Sequence, residues 1–507
     1  ATSTQTIDAT VLAVAAGVSG GVIGVSVSGA GASTENRIAT VVQSYIQGDK
    51  DDRGITASSV HVEAVDASTI NAFTGAVSVA ASFGIAAASL AIGVGIAHND
   101  IDNTVEGFIQ DVDAGVNANG PSSGSIHVGA RSSASIDAEA LAAAVAIAGG
   151  LYSVAISGAG TLATNVIGGS TNAYVDGSVL TSQGGVSLLA SNGATVTASL
   201  PTIALAVGAV AAAGAVSVTD NTINSTVDAY ISDSTVTAAT GNVSVTADTT
   251  GTVKAETLTV AIAAGLGAGV AVTDARSTIN GHTQAYLGQG SQITASGGDV
   301  AITSTSSGSA AADMRAGAGA IGVAVASASG SARITGDTLA YIGDGAEVTA
   351  RNVRVQTIDP LTGKRTTRSA TATMTAGSVG LIGATVAGAT AEITGDVQAS
   401  IGKGARITTL TGTTAVRADS TSTALATAEG GAGGLVGVSV FNAIANVGTA
   451  GNTAATTAFI DEGSVITTRG LSVEASGGGS AIGTMSTIGV GLVGISAGRA
   501  ESNLASD

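Results

Sequence analysis

A short pattern of alternating polar and apolar residues recurs eight times along the chain. Its clearest copy is 223–231, where β-branched, small and aliphatic residues alternate with polar residues and one aromatic residue. Because successive side chains of a strand point to opposite faces, we predict an inner face with Val227 and Ile231 and an outer face with Tyr230. Each copy is therefore expected to be a strand with one buried side.

The aromatic position of this pattern sets a long period. It holds Tyr or Phe in seven copies and Ser in one, and the eight residues are Tyr45, Phe108, Tyr174, Tyr230, Tyr286, Tyr341, Ser400 and Phe459. Successive positions are 55 to 66 residues apart, and such self-similarity is typical of repeat architectures. Ile stands seven residues before the aromatic position in seven copies, whereas Asn452 stands there in the last copy. If successive copies pair in register, the rings are expected to stack into a ladder, which Ser400 would interrupt.

Each copy is followed by turn residues and further short strand patterns. A turn such as 343–345 precedes alternating segments such as Thr235–Ala238, and Gly separates these segments. We therefore predict an all-β fold, a repetitive β-solenoid fibre with long Ala-, Gly- and Val-rich strands and about one unit per 55 to 66 residues. The chain 1–507 is expected to be one continuous array. Its predicted units are 1–37 (partial), 38–100, 101–166, 167–222, 223–278, 279–333, 334–392, 393–451 and 452–507 (partial).

Each unit also contains a long uncharged run with two apolar faces. In 258–272, the bulky residues Leu258, Val260 and Ile262 alternate with small residues. A strand that is apolar on both sides is expected to be buried on both sides. We predict that the bulky face lies inside the unit and that a second sheet approaches the Ala-rich face, either from the same unit or from a neighbouring molecule. We predict no membrane span, because the runs recur once per unit and lack basic flanking residues.

The composition narrows the range of partners. The 507 residues carry a net charge of −18 with only 11% charged residues, which disfavours nucleic acid and anionic membranes. Aromatic residues make up 2% and Trp is absent, so the core is expected to consist of Ala, Val and Ile. Cys is absent, which excludes disulfides and thiolate metal sites.

No pattern of a catalytic site stands out, so we do not expect an enzyme. The histidines share no repeat position and no metal-ligand spacing, and they are His61, His98, His127 and His282. Calcium is the only cofactor that the residues suggest, because acidic residues recur near the predicted turns and Ca²⁺ prefers oxygen ligands. The candidate ligands are Asp49, Asp51, Asp52, Asp233 and Asp344. The alternative is that these carboxylates cap turns through backbone hydrogen bonds.

One segment is basic and interrupts the repeat. Its charged residues lie around 359–363, whose Pro predicts an exposed loop between two strands, and they are Arg351, Arg354, Lys364, Arg365 and Arg368. We expect these charges to be solvated. The alternative is an electrostatic contact with an acidic neighbour, which would help to set the register between copies of the chain.

The segment 221–238 resembles a known family of repeats. Its order of Asn-x-Ile-Asn-x-Thr-Val-x-Ala-Tyr-Ile, followed by a Thr-Val-Thr-Ala strand and an Ala/Gly/Val run, is similar to the repeats of giant bacterial filamentous adhesins of the leukotoxin type. The similarity extends over essentially the whole chain, and Ser400 and Asn452 depart from the motif. It implies secretion, a location at the cell surface and a β-solenoid fold. It carries over no catalytic residue.

The predicted function is that of a non-enzymatic extracellular fibre, either a stalk or a filament. We expect its partners to be copies of itself or flanking repeats of a longer chain. The alternative is a repeat surface that binds a glycan, ice or a host cell surface, because Thr-rich strips such as 367–375 present regular hydroxyl groups. Such strips are not visible in every unit of the sequence.

Overall fold

The protein is described here by a computed structural model that covers residues 1–48, 53–120, 124–359, 362–449 and 451–505. Strands account for most of these residues, and none of the described residues lies in a helix. Strand pairing is parallel throughout the sheets. The prediction of an all-β chain with long Ala-, Gly- and Val-rich strands is confirmed.

The strands are β1 (Thr2–Gly20), β2 (Ile23–Ile38), β3 (Val41–Gln47), β4 (Ile55–Ala57), β5 (Val60–Phe83), β6 (Ala86–Gln110), β7 (Val116–Ala118), β8 (Ile126–Gly149), β9 (Tyr152–Asp176), β10 (Val179–Ser182), β11 (Val186–Ser232), β12 (Thr235–Ala238), β13 (Val243–Asn280), β14 (His282–Leu287), β15 (Gln292–Ala295), β16 (Val300–Ala320), β17 (Val323–Ile334), β18 (Asp337–Ile342), β19 (Glu347–Ala350), β20 (Val353–Gln356), β21 (Thr366–Val379), β22 (Ile382–Ile393), β23 (Val397–Ile401), β24 (Arg406–Thr409), β25 (Thr413–Gly433), β26 (Val436–Val447), β27 (Thr456–Ile460), β28 (Val465–Thr467), β29 (Gly470–Val490) and β30 (Val493–Leu504).

These strands form three parallel stacks. The first stack contains β1, β5, β8, β16, β20, β21, β25 and β29, together with 186–207 of β11 and 243–263 of β13. The second stack contains β2, β3, β6, β9, β14, β17, β18, β22, β23, β26, β27 and β30, with 210–232 of β11 and 266–280 of β13. The short stack contains β4, β7, β10, β12, β15, β19, β24 and β28.

Residues pair with residues about one period later along the chain. Tyr230, for example, pairs with Tyr286, and Ile223 pairs with Ile279. We use the word column for a line of residues that pair in this way across successive strands of one stack. Because the pairing is in register, equivalent side chains of a column lie directly above one another.

Two cores lie between the stacks. The three stacks together enclose a core of Val, Ile, Leu and Ala side chains, a region that we call the prism. Beyond the prism the first and second stacks continue as two facing layers around a core made mostly of Ala, a region that we call the blade. At the far edge of the blade short turns join the two stacks, as at Gly150–Leu151 between β8 and β9.

The blade corrects the prediction that the bulky face of the apolar runs lies inside. In β13, Leu258 and Ile262 are 43% and 45% exposed, whereas Ala261 and Ala263 are buried. Ala263 belongs to a column with Ala206 and Ala146, so small side chains face the second stack along the blade. The tight turns at the far edge hold the stacks close together, and only small side chains fit between them. A Cβ at Gly150, for instance, would collide with the carbonyl oxygen of Gly84 in the neighbouring turn.

An isoleucine column marks the border between blade and prism. It is formed by the Ile that precedes each aromatic position, and its members are Ile38, Ile101, Ile167, Ile223, Ile279, Ile334, Ile393 and Val447. The assignment of Asn452 to this position in the last copy is wrong. Val447 pairs with Ile393 instead, because extra residues separate it from Phe459, so counting back from the aromatic position fails.

Candidate functional surfaces

The aromatic residues stack into a ladder on the outer face of the second stack. The rings of Tyr45, Phe108, Tyr174, Tyr230, Tyr286 and Tyr341 follow one another at centroid distances of 4.8 to 5.1 Å and interplanar angles of 2° to 5°. Ser400 pairs with Tyr341 and separates this ladder from Phe459. The neighbouring inner-face residues Val227, Ala229 and Ile231 are fully buried, which agrees with the predicted faces.

Burial and nearby acids change the ionisation of the ladder. Burial is the main reason why the pKa of Tyr174, Tyr230, Tyr286 and Tyr341 is raised, and for Tyr341 it rises to about 12. Asp228 lies one strand position from the rings and adds to this effect at Tyr341. The ladder is therefore a half-buried, acid-flanked strip of neutral phenols.

The calcium candidates do not converge on one site. Asp233 adopts a left-handed turn conformation with φ of 45°, and Asp344 accepts a hydrogen bond of 2.8 Å from the backbone N–H of Lys403. They belong to turns two periods apart. Asp49, Asp51 and Asp52 lie outside the described residues. Among the residues that the structure does describe, no group of three or more Asp, Glu or His could hold a metal ion.

A column of hydroxyl residues runs along the outer face of the first stack. It occupies nine successive strands with Ser or Thr, namely Thr6, Thr69, Ser135, Thr195, Thr252, Ser309, Ser369, Thr423 and Ser480. In β21 further outward hydroxyls extend it along the strand at Thr367, Thr371, Thr373 and Thr375. Part of this area forms an open groove of about 310 Å³. The sequence did not reveal the column, because its members are unevenly spaced and become aligned only through strand register.

The basic segment is neutralised within the molecule. Arg351 and Arg354 each contact Asp299 at 2.9 Å, and their hydrogen bonds, together with one from Asn352, outweigh the effect of burial and lower the pKa of Asp299. Lys364 reaches Asp248 at 2.5 Å, and Arg365 lies 3.4 Å from Asp419.

Arg368 is part of the interior and not of the exposed loop. It is 4% exposed and donates hydrogen bonds of 3.0 and 2.7 Å to the carbonyl oxygens of Thr394 and Gly395. Burial lowers its pKa to about 10. The prediction of a solvated basic loop is therefore wrong for Arg368, and the other four cations have partners in this chain.

Two histidines share a repeat position, which corrects the prediction that none do. His61 pairs with His127, and their rings stack at 4.9 Å. Glu63 lies beside them and accepts a hydrogen bond of 2.9 Å from Arg131. Burial is the main cause that lowers the pKa of His127, and the closeness of His61 adds to it. Sequence spacing missed the pair because the period near these residues is longer than elsewhere.

Comparison with known proteins gives no relative from which a role could be transferred: no protein-family model, curated protein or solved structure matches the chain. In the described parts of the chain, no helix has the length and apolar character needed to cross a membrane.

Proposed function

We propose that the chain is a non-enzymatic structural segment of an extracellular β-solenoid fibre, a stalk or filament at a bacterial cell surface. The observation that carries the proposal is the in-register stacking itself. The isoleucine and hydroxyl columns pass through successive strands of the first and second stacks without interruption. Stacking of this kind buries each unit against its neighbours and extends in one direction, which suits a fibre.

The resemblance of the repeat to giant filamentous adhesins supports the location outside the cell. The experiment is immunogold electron microscopy of intact producing cells with antibodies raised against this chain. We expect the label on filaments or stalks that extend from the cell surface. Label confined to the cytoplasm of sectioned cells would refute the proposal.

A second candidate function is binding of a glycan or ice to the hydroxyl column, favoured by its presence in nine successive strands. The test is binding to particulate cellulose and chitin, together with inhibition of ice recrystallisation. Replacing Thr371, Thr373 and Thr375 by Val removes three hydroxyls with little change of shape, so binding should fall. The control replaces Thr222 and Thr278 by Val, because they face outward on the second stack. Equal binding by both variants and the parent chain would reject this role.

A further inference from the structure

We propose that the uncharged half of the blade is an interface through which a second copy of this chain packs side by side. The inference rests on the proposed fibre function and names its partner. We define the surface by its two outer faces and by the turns that join them at the far edge. It begins where the first charged residue occurs along each strand, and it ends at those turns.

Large apolar side chains cover both faces of this surface. On the first stack they include Ile203, Leu258 and Ile262, and on the second stack Ile92 and Ile156, each between 41% and 47% exposed. The exposure follows from the fold, because the Ala faces of the same strands occupy the interior. A soluble monomer rarely leaves contiguous apolar surface of this extent in water.

The turns at the far edge add a row of aliphatic side chains. Eight of nine successive turns place a Val, Ile or Leu at the tip, namely Val22, Ile85, Leu151, Leu266, Ile321, Leu381, Leu435 and Leu492, and all eight are exposed. Ala209 occupies the ninth tip. Turns normally carry polar residues because they face water. Aliphatic tips in almost every turn therefore indicate an edge that is covered in the working state.

The charge distribution favours a second copy as the partner. The chain carries a net charge of −18, so copies repel each other over most of the surface. The described residues 76–85, 142–151, 202–209 and 259–273 contain no charged residue. Like-charge repulsion between copies is therefore weakest at the blade.

A lipid bilayer fits this surface less well. Residues that flank the uncharged region include Glu35, Asp220 and Asp274, which are acidic. Proteins that enter a membrane surface usually carry basic residues and Trp or Tyr at that border. Tyr152 is the tyrosine at the blade edge, and Trp is absent.

The available area also suits a protein interface. About six residues of each of nine strands, at roughly 3.3 Å per residue and 4.8 Å per strand, give about 850 Å² for one face. A stable complex buries about 800 Å² on each partner. Since both faces qualify, a copy can bind on either side, and association is open-ended rather than closed.

The test is analytical ultracentrifugation of the purified full chain over a range of concentrations. We expect the parent chain to form assemblies whose mass rises with concentration. The variant I203E/I262E places two charges in one face, and I92E/I156E does so in the other. Each should weaken association by about tenfold or more, because a buried unpaired charge opposes contact.

The matched control is T195E/T252E, which adds the same charges to the same two strands at the hydroxyl column. It should associate like the parent chain. The milder variant I203T/I262T retains β-branched side chains, and it replaces the Glu variant if circular dichroism shows that the latter does not fold. A monomeric parent chain, or equal association of face and control variants, would overturn the proposal.

Flotation with neutral phosphatidylcholine vesicles tests the other partner. Flotation of the parent chain that is lost in the face variants would assign the surface to lipid and overturn the proposal. The fibre function is tested separately by cell-surface labelling, which does not depend on the mass of the purified chain. Surface filaments with a monomeric purified chain would therefore reject the interface alone.

Discussion

At the residue scale, side-chain size decides which face of a strand is buried in the blade. Ala261 is buried within a column that also contains Ala204 and Ala318, whereas Ile262 points to solvent on the next position. Hydrophobicity alone would place Ile262 inside. The space between the two stacks is set by Ala along the whole blade, so a single large side chain has no gap to fill.

We therefore expect opposite outcomes from two neighbouring substitutions. Ala261→Leu adds volume to a filled interior and should lower the free energy of unfolding by about 2–3 kcal/mol. Ile262→Ala removes an exposed side chain and should change it by about 1 kcal/mol or less. Urea denaturation followed by circular dichroism measures both. A larger loss for Ile262→Ala than for Ala261→Leu would contradict the arrangement of the faces.

The tyrosine ladder gives a pH dependence of stability at alkaline pH. The folded-state pKa of Tyr341 is about 12, above the ordinary value of 10.0. A raised folded-state pKa means that the stabilisation is fully present below the unfolded pKa and is lost as the pH rises through the folded pKa. We expect unfolding to become easier between about pH 10 and pH 12.

Absorbance of tyrosinate at 295 nm, measured together with circular dichroism, follows this transition. Tyr341→Phe keeps the ring in the ladder but removes one ionisable group, so it should reduce the alkaline loss of stability. If the phenols ionise fully near pH 10 while the fold is retained, the ladder is more open to water than its burial indicates.

At the element scale, hydrogen bonds between equivalent side chains fix the register of the second stack. The buried amides of Asn36, Asn99, Asn165 and Asn221 form a chain of Nδ2-to-Oδ1 hydrogen bonds of 2.7 to 2.8 Å. Later strands carry Ala332 and Ala391 in the same column. The fold therefore accepts either a continuous amide ladder or an apolar residue at this position.

Breaking the amide ladder at one point should cost more than removing it. Asn165→Ala leaves Asn99 without an acceptor and Asn221 without a donor, so we expect a loss of about 2–3 kcal/mol. Replacing all four Asn by Ala should cost less than four times that amount, because no unpaired amide remains. Urea midpoints of the single and quadruple variants measure the difference. Strictly additive losses would show that the four amides act independently.

Local sequence patterns predicted the anchor strands well. Val227, Ala229 and Ile231 alternate with polar residues, so their buried face was readable without knowledge of the fold. The apolar runs were not readable in this way, because both faces of a segment such as 258–272 are apolar and periodicity cannot rank them. The distance between the stacks, a tertiary property, decides between the faces.

Register explains the remaining failures of prediction. The hydroxyl column and the pair of His61 and His127 depend on which residues lie side by side, and the period varies between copies. Ion pairs such as Lys364 with Asp248 join residues two periods apart. Such contacts require the strand pairing to be known before they can be inferred.

At the scale of the whole molecule, most of each period is spent on width. One period advances the stack by about 4.8 Å, whereas a strand of blade and prism such as β8, with 24 residues, extends roughly 80 Å across it. A chain that needed only reach would use shorter strands. The broad faces are therefore the main product of the sequence, which agrees with a role for them in lateral contact.

If successive periods are equivalent units of one array, a whole period can be removed without destroying the fold. Deleting residues 224–279 joins Ile223 directly to Asn280, and these residues follow one another in the column pattern because Asn224 pairs with Asn280. The strands on either side of the deletion then meet with their inward and outward faces unchanged. We expect a folded chain, with a stack shorter by about 4.8 Å and a melting temperature within a few degrees of the parent.

The matched control deletes residues 224–251, which is half of that segment. It joins the second stack to the first stack at Thr252, so every later strand would be offered to the wrong stack and the turn and short strand β12 would be lost. This variant should be unfolded or aggregated, although it removes fewer residues. Circular dichroism and small-angle X-ray scattering distinguish the two outcomes. Because a globular core would tolerate the smaller deletion better than the larger one, loss of fold in the whole-period variant alone would exclude a stack of equivalent units.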